Sequence, residues 1–297
     1  MITVKNITKS YKTKNHIIKA LDDVSLEIPS GEIFGLIGPD GAGKTSLFRI
    51  LATLIEADSG QASVDGFDCA KDLTEIRKRV GYMPGRFSLY QDLSIEENLN
   101  FFADIFGTTV KENYDTIRDI YMQIEPFKTR RAGALSGGMK QKLALCCALV
   151  HRPDVLFLDE PTTGVDPVSR KEFWAILKKL NQNGMTIMVS TPYMDEASLC
   201  QRIALMQGGK ILSINFPEEI IRSYQNRIFA LKSANNYHLL ETLRPRPDVS
   251  SAYMFGEHLH VTFKDNILPK DLPEDIEIEE ITAGIEDCFI GLMNNER

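Results

Sequence analysis

The stretch from Ile33 to Leu51 constrains the fold more than any other part of the sequence. Its apolar beginning, Ile33 to Ile37, predicts a buried strand that stops at Gly38. Two glycines separated by four residues follow, and Lys44 and Thr45 come directly after the second one, which is the pattern of a phosphate-binding loop. A helix with one apolar face comes next. The order of strand, glycine turn and helix N-terminus therefore predicts an α/β fold that binds a phosphorylated ligand.

The residue types of this loop suit a triphosphate bound together with a metal ion. Glycines let backbone N–H groups approach phosphate oxygens, and the helix N-terminus adds positive potential. We expect Lys44 to bind the outer phosphates and the Thr45 hydroxyl to bind Mg²⁺. The alternative is a chance glycine turn, which the strand before it and the helix after it disfavour.

Composition limits the classes of protein to which the chain can belong. A length of 297 residues, 43% of them hydrophobic, allows one large or two modest domains with a sizeable core. The net charge of −7 argues against unspecific nucleic-acid binding. Five scattered cysteines without zinc-ligand spacing fit a reducing cytosol. No window reaches the ~18 apolar residues of a membrane span, so we expect any action at a membrane to come from outside the bilayer.

A second glycine-rich turn, Leu135-Ser136-Gly137-Gly138, lies immediately before another helix. Ser136 is a good N-cap residue, but two glycines in a first helical turn lower helix propensity by up to ~1 kcal/mol each. Their presence predicts that another group approaches this backbone closely, and a phosphate is the natural candidate at a helix N-terminus. A flexible loop before a helix remains the alternative.

Two carboxylates end the next apolar strand, which begins at Val155. At the carboxyl end of a strand, both Asp159 and Glu160 can leave the sheet. We expect Asp159 to bind Mg²⁺ and Glu160 to polarise an attacking water. The alternative is a solvated strand end. Asp166, followed by a proline, starts the helix beyond this strand.

Two other regions complete the pattern. Residues 1 to 30 alternate in short apolar and polar pieces and predict strands, in which the Tyr11 ring could stack on an adenine or could simply be half-buried. Residues 86 to 134 show helical periodicity, with a capping box at Ser94 and Glu97. This region predicts a helical insertion in the α/β domain.

Four motifs now resemble the ATP-binding subunit of an ABC transporter: the Walker A loop GPDGAGKT, the signature LSGGMKQ, the Walker B strand VLFLDE and the D-loop GVDP. The likeness covers roughly residues 2 to 220. It implies a P-loop ATPase core with an antiparallel β subdomain and a helical subdomain at about residues 86–150. Residues 221–297 would form a small C-terminal α+β accessory domain.

The resemblance also implies roles for single residues. In this family two domains face each other head to tail, and ATP lies between the Walker A loop of one and the signature of the other. The ATP-binding residues would be Tyr11, Gly38, Asp40, Gly41, Ala42, Gly43, Lys44, Thr45 and Ser46. Thr45 and Asp159 would bind Mg²⁺, Glu160 would be catalytic, and Asp166 would belong to the D-loop. Ser136, Gly137, Gly138 and Gln141 would serve the nucleotide of the partner subunit.

The sequence departs from the family pattern at two positions. The family usually has Gln after the motif corresponding to GYMP, where this chain has Gly85, and His after Ser190-Thr191, where it has Pro192. Neither residue offers a side-chain donor. Losing one preorganised donor typically costs about 10²–10³ in rate. We therefore expect firm ATP binding and slow hydrolysis at this chain's own Walker A site.

The resemblance extends to partners and location. The ending AGIEDCFIGLM is similar to that of ABC-2 exporter subunits, which implies a drug, antibiotic or polysaccharide exporter. The partners would be a second ATPase subunit, like or unlike, and separate transmembrane permease subunits that dock around residues 87–106. The chain would act from the cytoplasm on the inner face of the membrane, without nucleic acid. The alternatives are a nucleotide-binding regulatory subunit with little turnover and a soluble, non-transport ABC ATPase.

Overall fold

The computed structural model describes residues 1–13, 16–269, 271–273 and 276–295. The chain divides into two units, Met1–Asn215 and Phe216–Arg297, whereas the sequence suggested a boundary near residue 220. None of the helices within the described residues combines the length and the apolar character that a membrane span requires.

The first unit contains ten strands and six α-helices among its described residues. The strands are β1 (Ile2–Lys12), β2 (Ile17–Ile28), β3 (Ile33–Ile37), β4 (Ser59–Val64), β5 (Phe67–Asp68), β6 (Val80–Met83), β7 (Val155–Asp159), β8 (Thr186–Thr191), β9 (Arg202–Gln207) and β10 (Lys210–Asn215). The helices are α1 (Lys44–Leu51), α2 (Leu73–Arg79), α3 (Ile95–Ile105), α4 (Tyr114–Tyr121), α5 (Gly137–Leu149) and α6 (Pro167–Gln182).

A six-stranded sheet in the order β10-β9-β3-β8-β7-β6 forms the centre of this unit. Strands β6, β7, β8, β3 and β9 run parallel to their neighbours, and β10 closes the edge antiparallel to β9. The strands β3, β7 and β8 are buried along their whole length, as expected for a parallel sheet that is covered on both faces. All carboxyl ends of the parallel strands therefore lie at one edge, where ligands bind in such folds.

The antiparallel sheet β2-β1-β4-β5 shares a hydrophobic core with this central sheet. Phe48 of α1 and Phe157 of β7 meet edge to face in that core, with ring centroids 5.8 Å apart. The helical segment behaves as its sequence predicts: Ser94 accepts a hydrogen bond from the backbone N–H of Glu97, and the Glu97 side chain accepts one from the backbone N–H of Ser94. The predicted fold class, an α/β core with an antiparallel sheet and a helical insertion, is confirmed.

The second unit consists of α7 (Pro217–Ser223), β11 (Ile228–Lys232), α8 (Asn236–Leu243), β12 (Val249–Phe255), β13 (His258–Phe263), β14 (Glu277–Ile281) and α9 (Ile285–Asn295). Its antiparallel sheet has the order β12-β13-β11-β14. The apolar face of α8 packs against β11 and β13. Strands β12 and β13 form a hairpin around Gly256. Strand β14 has three glutamates in five residues, which is not a sequence pattern typical of a strand.

Candidate nucleotide-binding site

The carboxyl ends of three neighbouring strands bring the phosphate loop and the carboxylates of Asp159 and Glu160 together. Strand β3 pairs with β8 at Ile37 and Thr191, and β7 pairs with β8 at Asp159 and Ser190. The phosphate loop, which we define as residues 38–45, follows β3 directly. Its helix, the two carboxylates after β7 and the turn after β8 therefore share one edge of the sheet.

The first and last glycines of the phosphate loop are required by contacts with the protein's own backbone. A Cβ atom at Gly38 would lie 2.2 Å from the Met206 carbonyl oxygen. One at Gly43 would lie 2.2 Å from the Ala20 carbonyl oxygen, and Gly43 also has a φ of 108°, a left-handed conformation that L-residues rarely adopt. These two glycines fix the loop against β9 and β2 at the start of α1.

Lys44 crosses the inside of this loop. Its side chain is 3% exposed, and Nζ donates to the carbonyl oxygens of Gly38 at 2.8 Å and Pro39 at 3.0 Å. Nζ also lies 3.2 Å from Glu160 Oε1. A single buried ammonium therefore connects the phosphate loop to the carboxylate that follows β7.

The two carboxylates after β7 are held differently. Asp159 is buried, and its Oδ1 accepts a hydrogen bond of 2.6 Å from Ser190 Oγ. The backbone N–H of Glu160 donates to Ser190 Oγ at 3.0 Å and to the Ser190 carbonyl oxygen at 3.1 Å. These bonds hold Glu160 at a φ of 50°, a conformation that costs a non-glycine residue on the order of 1–3 kcal/mol. The strain directs the Glu160 side chain out of the sheet toward Lys44.

The donor set fits a magnesium ion. Mg²⁺ binds hard oxygen ligands, usually one or two protein groups with phosphate and water completing the shell. Asp159 provides a buried carboxylate whose Oδ1 already has a fixed donor, and Thr45 provides a half-buried hydroxyl in the first turn of α1. A negative charge buried this deeply favours a cation as its partner.

Of the other residues predicted to bind ATP, Tyr11, Asp40 and Gly41 lie at the protein surface. Tyr11 is partly exposed, and its hydroxyl lies 3.3 Å from Ser46 Oγ, which places the end of the ring beside the first turn of α1. Asp40 and Gly41 are exposed, whereas Ala42 is buried. Tyr11 therefore lies beside the helix that follows the loop, and its stacking on an adenine stays a prediction.

The signature turn, residues 135–141, contains the N-cap residue Ser136 and the first residues of helix α5. Ser136 Oγ accepts a long hydrogen bond of 3.4 Å from the backbone N–H of Met139. Ser136 and Gly137 are exposed, and Gln141 is half-buried. A Cβ atom at Gly138 would lie 2.6 Å from Ser169 Oγ of α6. The close approach expected at this turn is thus made partly by the chain's own α6, while Ser136 and Gly137 remain exposed.

Asp166 is the N-cap of α6. Its Oδ1 accepts hydrogen bonds from the backbone N–H groups of Ser169 at 2.9 Å and Val168 at 3.1 Å. These bonds, the one from Ser169 first, lower the pKa of the Asp166 carboxyl. Its capping role explains the residue type, and its exposure leaves it accessible to a second subunit.

The two departures from the family pattern lie at the same edge of the sheet. A Cβ atom at Gly85 would lie 3.0 Å from the Asp159 carbonyl oxygen and 3.7 Å from Glu160 Cβ. Pro192 follows directly after β8, and the backbone N–H of Tyr193 donates to Thr191 Oγ1 at 3.1 Å. Gly85 therefore borders the two carboxylates, Pro192 lies two residues after the Ser190 that holds them, and neither position carries a side-chain hydrogen-bond donor.

One buried network was not predicted. Thr162 Oγ1 donates to Glu196 Oε1 at 2.7 Å, and both side chains are 1% exposed. Arg170 of α6 has its Nε 3.7 Å from the same oxygen, and its guanidinium lies 4.3 Å above the Tyr193 ring. The network joins the turn after Glu160, helix α6 and the segment after Pro192. Its members are scattered along the sequence, so no local pattern marks them.

Comparison with known proteins decides the family. Residues 21–163 match the family model described as ABC transporter. Nod factor export ATP-binding protein I of Burkholderia pseudomallei is 36% identical over 307 residues, which is 99% of this chain and 97% of that protein. The chain belongs to the ABC transporter ATP-binding proteins. The resemblance recognised in the four motifs is thereby confirmed.

Other relatives of this ABC ATP-binding protein differ in length. The probable multidrug ABC transporter ATP-binding protein YbhF of Escherichia coli is 39% identical over 302 residues, which is 99% of this chain and 52% of that protein. The chain thus spans about half the length of that relative. Among solved structures, the ATP-binding cassette MJ0796 in a dimeric post-hydrolysis state with ADP and Pi superposes with a TM-score of 0.67 and 28% identity. The superposition covers 73% of this chain and 98% of the MJ0796 chain.

Proposed function

We propose that this ABC ATP-binding protein binds and hydrolyses ATP as a subunit of a membrane exporter and dimerises when ATP is bound. The contact of 3.2 Å between Lys44 and Glu160 carries this proposal, because it joins the phosphate-binding ammonium to a carboxylate that can act on water. A phosphate that enters the loop competes for Lys44 with Glu160 and with the carbonyl oxygens of Gly38 and Pro39. Glu160 is then free to accept a proton from the attacking water.

Dimerisation supplies the other half of the site. Ser136 and Gly137 are exposed at a helix N-terminus, which suits the γ-phosphate of a nucleotide that is held by another subunit. Thr45 and Asp159 would hold Mg²⁺, which would neutralise charge on the phosphate oxygens. The dimeric structure of MJ0796, bound to ADP and Pi, supports this arrangement for a homologous chain.

We also propose that hydrolysis at this chain's own site is slow. Gly85 borders Asp159 and Glu160, and Pro192 directly follows the end of β8. Neither provides a side-chain donor for the charge that develops in the transition state. One missing donor corresponds to about 10²–10³ in rate. An alternative function as a regulatory subunit with little turnover, paired with an unlike ATPase, is favoured by the same two residues.

Measuring phosphate release by the purified chain tests the proposal. We expect Pro192→His to raise turnover by at least about tenfold, and Pro192→Ala, the matched control, to leave it unchanged. Gly85→Gln is a weaker test, since its Cβ atom would crowd the Asp159 carbonyl oxygen at 3.0 Å. Equally fast turnover in wild type and Pro192→His would refute the weakened site, and failure to bind Mg-ATP would refute the ATPase assignment.

The membrane subunit is proposed to dock in an apolar groove of about 590 Å³ beside the Gly85 turn. This docking groove lies between β6, α3 and α5, and it is lined among others by Leu54, Tyr82, Phe87, Ile105, Phe106 and Ala144. Leu54 is 55% exposed and Ile105 58%. Exposed apolar side chains around a concave surface indicate a protein-binding site. A short cytoplasmic segment of a permease would cover them and place the chain on the inner face of the membrane.

A further inference from the structure

The docking groove has an unusual charge for this protein. Among the lining residues that the structure describes, Arg77, Lys78 and Arg86 are basic and none is an aspartate or glutamate. The whole chain, in contrast, has 41 acidic and 34 basic residues. A positive groove on a negative protein suits a partner with carboxylates, because electrostatic complementarity steers association and excludes wrong partners.

Two of these three cations already have partners. Arg77 donates to Thr53 Oγ1 at 2.9 Å and to the Thr53 carbonyl oxygen at 2.8 Å. Lys78 forms an ion pair of 2.9 Å with Glu75. Arg86 is exposed and makes no hydrogen bond or ion pair with any residue of the described ranges. A purely apolar occupant would bury this guanidinium without compensation, which is unfavourable.

We propose that Arg86 binds an aspartate or glutamate of the permease segment that fills the docking groove. This inference rests on the proposed docking of a membrane subunit there. The segment would be an amphipathic helix whose apolar face covers Leu54, Ile105 and Phe106, with its carboxylate near the Arg86 end of the groove. A bidentate arginine–carboxylate pair fixes orientation as well as partner identity.

The position of Arg86 gives this contact access to both nucleotide-binding elements. Arg86 follows Gly85, whose Cβ position lies 3.0 Å from the Asp159 carbonyl oxygen. Phe87, the next residue, lies beneath Lys140 of the signature turn, with 5.6 Å between Nζ and the ring centroid. A displacement of the Arg86 backbone by the permease therefore moves residues that contact the Asp159 strand end and helix α5.

The variant Arg86→Lys makes the contact chemically detectable. In membranes of the source organism that contain the chain and its own permease, a carbodiimide activates the partner carboxylate. The introduced amine then displaces the urea and forms an amide bond. We expect a covalent adduct with an integral membrane protein, mapped by mass spectrometry to an aspartate or glutamate of a cytoplasmic segment. Because Lys78 also lines the groove and carries an amine, only an adduct whose cross-linked peptide contains residue 86 supports the contact. Arg131→Lys, exposed on the same insertion but outside the groove, is the matched control and should give no adduct through residue 131.

A photo-reactive benzoylphenylalanine in place of Phe106 separates this inference from the proposed function. Capture of the same membrane protein from both positions supports the Arg86 contact. Capture from the Phe106 position alone overturns the Arg86 contact but still supports docking in the groove. Capture from neither position overturns both the Arg86 contact and the docking of a membrane subunit. Arg86→Glu should lower co-purification of the captured protein at least about tenfold, and reversing the mapped acid to lysine should restore it. Failure of that restoration would also overturn the pairing.

Discussion

Lys44 Nζ lies 3.2 Å from Glu160 Oε1, and the same ammonium donates to two carbonyl oxygens of its own loop. The contact connects the element that binds phosphate to the group that can act on water. Because Lys44 is buried, its charge is screened weakly and favours anionic partners. An incoming phosphate and Glu160 therefore compete for one cation.

The first prediction concerns Glu160→Gln. The substitution keeps the shape of the side chain and removes the charge that pairs with Lys44, so we expect ATP binding to be retained or strengthened. Phosphate release should fall by about 10²–10⁴, because the general base is lost. Equilibrium nucleotide binding and a phosphate-release assay measure the two effects. Glu172→Gln, an exposed acid on α6, should change neither, and undiminished phosphate release in Glu160→Gln would contradict the assigned role.

The second prediction concerns the packing of the signature turn against α6. A Cβ atom at Gly138 would lie 2.9 Å from Ser169 Cβ and closer still to its hydroxyl oxygen. We expect Gly138→Ala to lower the free energy of unfolding by about 1–3 kcal/mol. Ser169→Gly removes the obstructing atoms while keeping its backbone N–H bond to Asp166. In urea unfolding, the double variant should therefore lose less free energy of unfolding than the two single variants lose together. A loss equal to the sum of the two single losses would exclude the clash.

The strand, the phosphate loop and the helix after it could be anticipated from the sequence because their signals are local. A strand, two glycines, a lysine and a helix follow one another without interruption, and the capping box at Ser94 and Glu97 forms where its pattern indicates. The physical reasons for Gly38 and Gly43 were not visible, however. At each position a carbonyl oxygen from a residue far away in the sequence leaves no room for a Cβ atom. The carbonyl oxygen of Met206 does so at Gly38, and that of Ala20 does so at Gly43.

Features that depend on contacts between residues far apart in the sequence could not be predicted from local sequence patterns. Strand β14 is almost entirely exposed and rich in glutamate, so it lacks the alternation that indicates a strand and exists only through its pairing with β11. The contact between Thr162 and Glu196 has the same origin. A threonine and an acid that lie outside strands and α-helices would be expected at the surface, and only the fold buries them together.

The third prediction tests that contact. Thr162→Val and Glu196→Ala should each lower the free energy of unfolding by about 1.5–3 kcal/mol, because each leaves a buried polar partner unsatisfied. The loss of free energy of unfolding in the double variant should be about 1–2 kcal/mol smaller than the sum of the two single losses, since the second substitution removes a group that is already unpaired. Urea unfolding of the four proteins gives this coupling energy. Thr163→Val, at the exposed neighbouring position, is the control, and zero coupling would show that the two side chains act independently.

The fourth prediction concerns pH and His151 at the docking groove. His151 Nε2–H donates to the Val80 carbonyl oxygen at 3.2 Å, and its ring stacks on Phe106 with centroids 3.7 Å apart. Burial lowers the pKa of His151 below its ordinary 6.5, and the bond to Val80 opposes this only in part. Below pH 6.5 the unfolded chain therefore binds a proton that the folded chain does not, so stability falls as the pH falls through this window.

His151→Gln retains a donor for Val80 but does not titrate. Between about pH 7.5 and about pH 5.5, wild type should lose up to about 1 kcal/mol more of its free energy of unfolding than His151→Gln. The other histidines are common to both proteins, so the difference isolates His151. Parallel curves for wild type and His151→Gln would mean that His151 is protonated as readily in the folded chain as in the unfolded one, and that its ring is not held neutral against Phe106.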